Sequence, residues 1–152
     1  MSKNKKYLKK IKDRKFLEDD SEEISLEDQI REASEGLFYI SETDAEIIPF
    51  IGSKTEEVTK AEILKQLNSD KDVEIEERDF ENFFEHLTKF QYWYEAEETE
   101  RAKKFRKLKK MMEENLRELK VFRIGKIQID IYVVGLDAEN RLIGIKTMAV
   151  ET

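Results

Sequence analysis

"VFRIGKIQIDIYVVGLDAENRLIGIKTMAVET", residues 121–152, decides the fold. Its apolar residues alternate with polar ones, and Gly125-Lys126 and Asp137 to Asn140 interrupt the alternation. Turn residues between alternating segments are the pattern of antiparallel hairpins. The spacing predicts a three-stranded antiparallel meander at 121–124, 127–135 and 141–150. Just upstream, "YEAEETERAKKFRKLKKMMEENLREL", residues 94–119, changes the period. Ala102, Phe105, Leu108, Met112, Leu116 and Leu119 step by three or four, so one helical face is apolar and should lie across the meander. Glu95, Glu97, Glu98 and Glu100 crowd its start and complement the positive end of the helix dipole.

Working towards the N-terminus, "RDFENFFEHL" reads as a helix with Phe80, Phe83, Phe84 and Leu87 as its stripe. "DVEIEE" reads as a short strand, and "TKAEILKQLNS" as a helix capped by Thr59. "AEIIPFIGS" reads as a strand in which Pro49, having no N–H, demands a sheet edge or a bulge, with Gly52-Ser53 turning the chain. "SLEDQIREASEG" is a helix with Ser25 as N-cap and Gly36 as its stop. Helices before and after strands give an α+β fold of sandwich type. A domain over 25–152 is expected, preceded by a flexible charged extension over 1–24, where a lysine block meets an acid block and apolar residues are too sparse to bury themselves.

Composition excludes several chemistries. The chain has no cysteine and one histidine, His86, so thiolate nucleophiles, disulfides, zinc fingers and multi-histidine sites are ruled out. No run approaches the ~18 apolar residues of a membrane span, and no apolar leader follows Met1. A cytoplasmic protein without membrane contact is expected. The net charge of −7 is unevenly spread. Residues 1–15 hold eight Lys/Arg against one Asp, whereas residues 26–100 hold 22 acids against seven bases. An acidic domain repels nucleic acid and attracts basic partners, although acid-rich helices also serve solubility alone.

No catalytic constellation emerges. His86 borders a phenylalanine-rich stripe, and the five glycines stand apart rather than forming a phosphate loop. "DKDVEIEERDFE", residues 70–81, places acids at calcium-loop positions one, three and twelve, but Ile75 replaces the glycine of position six. Enzymatic activity is not expected. Two stretches instead suit recognition. "LFYISETD", residues 37–44, ends what reads as a core strand by delivering Glu42 between Ser41 and Thr43. That glutamate is either solvated in a turn or held up on a rigid element for a partner. "FQYWYEAEE", residues 90–98, contains the only tryptophan, Trp93. It is either an interface anchor or a pin holding the helix to the core. The last strand runs almost to Thr152, which places that residue at the tip of an ordered element.

At these residues the chain resembles the nuclease A inhibitor family. The matching pieces are "EGLFYISETDAEIIPF", "FENFF", "WYEAEE" and the 121–152 stretch, in order over nearly all of 26–152. The resemblance implies an α/β/α sandwich, no enzymatic activity and no cofactor. It implies a protein partner, a sugar-nonspecific, Mg²⁺-dependent nuclease whose active site the inhibitor plugs. Carried over by position, Glu42 reaches the partner's catalytic metal, while no metal is held by the free protein. Trp93 and Thr152 are further contacts, and Ser41, Thr43 and Glu95 belong to the same motifs. Where the family has a Tyr-Pro pair shortly after the glutamate, this chain reads Ala45-Glu46 and carries its proline at Pro49. Two other functions fit the sequence: a binding module of this fold with a non-nuclease protein target, and a nucleic-acid-binding protein using the basic tail and the long helix.

Overall fold

The computed structural model describes residues 24–70 and 72–152; apart from Ile24, the extension expected over 1–24 lies outside them. Among the described residues, four helices flank a five-stranded antiparallel sheet and a separate two-stranded ribbon. The meander is present as β5 (Arg117–Ile124), β6 (Gln128–Leu136) and β7 (Arg141–Val150). With β3 (Ile48–Lys54) and β4 (Ile75–Arg78) at its two edges, the sheet has the order β3-β7-β6-β5-β4.

Period-two alternation sorts the strands' side chains onto two faces. Ile129, Ile131 and Val133 of β6 join Val121, Ile143, Ile145 and Ala149 in one core. Helices α1 (Leu26–Ser34), α3 (Phe80–Leu87) and α4 (Ala96–Asn115) cover that face through Ile30, Phe80, Phe84, Phe105, Leu108 and Met112. Tyr132, Val134 and Leu136 point the other way, against Ile63 and Leu64 of α2 (Lys60–Gln66). Helices on both faces of one sheet make an α/β/α sandwich. The central strand is apolar on both sides, which is why "IYVVGL" reads as an unbroken apolar run.

The helix starts follow their caps. Ser25, Thr59 and Asp79 accept hydrogen bonds from the backbone N–H groups of Asp28, Glu62 and Asn82, satisfying donors that have no intrahelical partner. The long helix is shorter than its periodicity predicts. It starts at Ala96, and Leu116 closes its last turn by donating to Met112 O, then turns extended. Arg117 pairs with Leu136, and Glu118, with φ of 55°, sits in the bulge before Lys120. Leu116 and Leu119 therefore keep helical spacing while reaching the same core from outside the helix. Pairing with β6 overrides local propensity there.

"AEIIPFIGS" forms two strands rather than one. Asp44–Glu46 is β2, and Ile48–Lys54 is β3 with Pro49 on a sheet edge. Buried Ile47 separates them and donates to Leu37 O at 2.9 Å. Gly52-Ser53 is not a turn; it lies in β3 where the register with β7 shifts. The Gln66 amide bonds both Ser53 N–H (2.8 Å) and Ser53 O (3.1 Å). It thus substitutes for a missing strand neighbour. At the β6–β7 turn, buried Asp137 accepts from Glu139 N (2.9 Å), Arg141 N (2.8 Å) and Arg141 Nε (2.9 Å).

Candidate functional site

The chain leaves α1 through Gly36, whose φ of 77° suits the left-handed stop expected there. It then enters β1 (Phe38–Ile40), which pairs only with β2. This corrects the reading of Leu37–Ile40 as a core strand: the ribbon lies outside the main sheet, and only Leu37 and the inner face are covered. On that inner face Tyr39 stacks against Phe83 of α3, with ring centres 5.7 Å apart and planes 6° from parallel. Thr147 of β7 donates its hydroxyl to Glu46 O at 3.0 Å. The ribbon is thereby fixed to both α3 and the sheet.

Ser41, Glu42 and Thr43 form the turn of this ribbon. The Ser41 N–H and hydroxyl both donate to Thr43 O, at 2.9 and 3.2 Å. The same hydroxyl accepts from Val150 N at 3.0 Å, and Glu42 N–H reaches Val150 O at 3.4 Å. Ser41 therefore ties the turn to the last residue of β7. Thr43 takes part through its backbone. Glu42 sits between them with its side chain exposed.

The Glu42 carboxylate has a defined orientation. Thr152 N–H donates to its Oε2 at 2.8 Å, and Thr152 Oγ1 donates to its Oε1 at 2.9 Å. These bonds, the backbone one foremost, hold the Glu42 carboxyl below its ordinary value of 4.5 and keep it ionised. Two donors leave about half of the roughly four lone-pair sites of a carboxylate free. Glu151 N–H donates to Ile127 O at 2.9 Å, and its carboxylate pairs with Arg123 at 2.6 Å. The segment that clamps Glu42 is thus itself held against the β5–β6 hairpin.

Trp93 is 62% exposed and does not pin α4 to the core. It makes edge-to-face contacts with Tyr92 (5.2 Å) and Tyr94 (6.1 Å). Arg106 lies over the Phe90 ring at 4.0 Å and donates to Thr88 O at 2.9 Å, bracing the loop before the aromatic run. Glu95 is the N-cap of α4, and its N–H donates to Glu98 Oε1 at 2.9 Å. Glu42 and Thr152 touch directly, with Ser41 and Thr43 in the same turn. Trp93 and Glu95 connect to this group only through neighbours: Tyr94 and Glu98 line one cleft together with Ile40 of β1, two residues before Glu42.

The outward face of the ribbon escaped the sequence reading. Phe38 and Ile40 are 44% and 52% exposed, and across the ribbon they face Glu46 and Asp44. The signal was present in the alternation of "LFYI", where Leu37 and Tyr39 turn inward and Phe38 and Ile40 outward, but four consecutive apolar residues read as buried on both sides. The calcium-loop-like stretch 70–81 contains strand β4 and the start of α3. Among the described residues no three His, Asp or Glu side chains are grouped to hold a metal ion, and no helix is long and apolar enough to cross a membrane.

Residues 24–152 match the family model described as nuclease A inhibitor-like protein. No curated protein matches the chain.

Proposed function

The chain belongs to the nuclease A inhibitor-like family, and from that premise we propose that it inhibits a sugar-nonspecific, Mg²⁺-dependent nuclease by plugging its active site. Glu42 is the residue that approaches the catalytic metal. One observation carries this reading: an exposed, ionised carboxylate is held on a turn braced to β7 and oriented by Thr152. A fixed carboxylate loses little rotamer entropy on binding. Mg²⁺ takes hard oxygen ligands and, in nucleases, keeps positions for a substrate phosphate. A carboxylate presented rigidly from outside can take such a position without being cleaved.

Charge supports the same reading. A groove that holds nucleic acid is basic, and residues 26–100 carry 22 acids against seven bases, so association is electrostatically steered. Trp93 supplies an exposed aromatic anchor beside the acidic start of α4. Ser41 and Thr43 shape the turn, and Glu95 fixes the end of the aromatic run. The domain is taken as 25–152, the partner is the nuclease, and the chain performs no catalysis itself. The nucleic-acid-binding alternative loses ground because the basic face of α4 is partly engaged. Lys109 pairs with Glu81 at 2.8 Å, Lys103 with Glu100 at 3.5 Å, and Arg106 with Thr88.

The test is DNA cleavage by nuclease A, the enzyme for which the family is named, with increasing amounts of this protein. Inhibition at or below about micromolar concentration is expected. Glu42→Gln should weaken it at least about a hundredfold while the fold is kept. Undiminished potency of that variant would remove Glu42 from the role.

A further inference from the structure

Resting on the inhibitor reading, we propose that the cleft between β1 and the start of α4 receives a single aliphatic side chain of the same nuclease, flanked there by Lys or Arg. The cleft has a volume of about 120 Å³; six apolar or aromatic residues line it, Phe38, Ile40, Tyr94 and Phe105 among them, together with His86, Glu98 and Arg101. That is slightly less than the ~150 Å³ apolar cavity known to hold a benzene molecule. It fits a leucine, isoleucine or methionine side chain.

Three observations select this occupant. The first is continuity with the Glu42 turn: Ile40 stands two residues before Glu42 on the braced ribbon, and Tyr94 is packed against Trp93. A partner that covers both the Glu42 turn and Trp93 would border the cleft that their neighbours Ile40 and Tyr94 line. The second is charge. Around Phe38 and Ile40, Asp44, Glu97, Glu98 and Glu100 outnumber Arg101 and Lys104. An apolar knob with basic neighbours complements that rim, and a basic groove bordered by such a knob is what a nuclease would offer. The third is the exposure of the ribbon's outer face. Phe38 and Ile40 are about half exposed on a strand whose inner residue, Tyr39, is packed against Phe83. Such a centre of apolar residues within a charged rim is the anatomy of an interface hot spot.

The experiment measures inhibition constants and dissociation rates against nuclease A for the full-length chain and four variants. Ile40→Ser and Phe38→Ser should each raise the inhibition constant at least about tenfold, chiefly through faster dissociation. Ile40→Met keeps the apolar contact and should stay within about threefold of wild type. Ile51→Ser alters a similarly exposed isoleucine (42%) on β3, paired with Ile143 far along β7 from Val150, and should change nothing. Circular dichroism establishes that each variant is folded. If wild type inhibits and Ile40→Ser and Phe38→Ser match it, the cleft proposal is overturned and the Glu42 reading survives. If wild type does not inhibit, both fall. If Ile51→Ser weakens inhibition as much as Ile40→Ser does, the effect is not local to the cleft and the proposal is again overturned.

Discussion

Trp93→Ala separates an interface anchor from a core anchor. A tryptophan side chain offers up to about 250 Å² of surface. With Trp93 62% exposed, about 150 Å² remains for a partner to cover and about 100 Å² is already covered, mainly by its tyrosine neighbours. At about 25 cal/mol per Å², full coverage by a partner is worth up to about 4 kcal/mol. The area already covered would give about 2 kcal/mol of stability, an upper bound because Tyr92 and Tyr94 remain adjacent in the unfolded chain. The expected result is a stability loss of about 1 kcal/mol in urea unfolding, with inhibition weakened by about 2–4 kcal/mol, roughly thirty- to several-hundredfold. Both are read on one preparation, by tryptophan-independent circular dichroism and by the cleavage assay. A stability loss above about 3 kcal/mol, of the size seen for core aromatic truncations, together with unchanged inhibition by the folded variant, would make Trp93 a core residue rather than an interface anchor.

Two further outcomes follow from the charged groups. The Glu42 carboxyl, followed by ¹³C NMR, should titrate below 4.5 because Thr152 donates to its charged form; Thr152→Val should raise it without reaching 4.5, since the larger backbone contribution stays. A depressed folded pKa means that the stabilisation from this contact is complete above 4.5 and is lost as the pH falls through the folded value; titration at or above 4.5 would contradict the clamp. At Asp137, burial alone would push the carboxyl up, but the Arg141 backbone N–H and guanidinium and the Glu139 N–H outweigh it and hold it below 3.8. Asp137→Ala should cost about 2–4 kcal/mol at neutral pH, since it strands two turn N–H groups and a half-buried arginine. That gap should be fully present above 3.8 and narrow as the pH falls through the folded pKa below it, and urea unfolding from pH 7 down to about pH 2 checks it.

The sheet was legible because its determinants are local and redundant. Turn residues at 125–126 and 137–140 bracket alternating segments, and the caps Ser25 and Thr59 announce their helices. Where neighbours outvote the local pattern, the reading slipped. Leu116 and Leu119 continue a helical spacing into a strand because β6 offers Arg117 a pairing partner. Gly52-Ser53 looks like a turn but is a bulge bridged by Gln66, thirteen residues away from Ser53. At the site, the residue types of Glu42, Trp93 and Thr152 were readable, yet their geometry was not. The carboxylate and its donors are 110 residues apart in sequence, and only the antiparallel return of β7 brings them together. The outward placement of Phe38 and Ile40 was hidden because a two-stranded ribbon and a core strand share one apolar signature when the far side of the strand is unknown.

Whether the Glu42 carboxylate lies at the partner's metal is read by paramagnetic NMR. The chain, labelled with ¹³C at its glutamate carboxyls, is mixed with nuclease A loaded with Mn²⁺ in place of Mg²⁺. Relaxation by Mn²⁺ falls off steeply with distance. The Glu42 carboxyl signal should be broadened beyond detection in the Mn²⁺ complex and return with Mg²⁺, while Glu62 on α2, across the sheet, stays sharp in both. A complex that forms, shifts the Trp93 indole signal and leaves the Glu42 carboxyl sharp would contradict the placement of Glu42 at the metal.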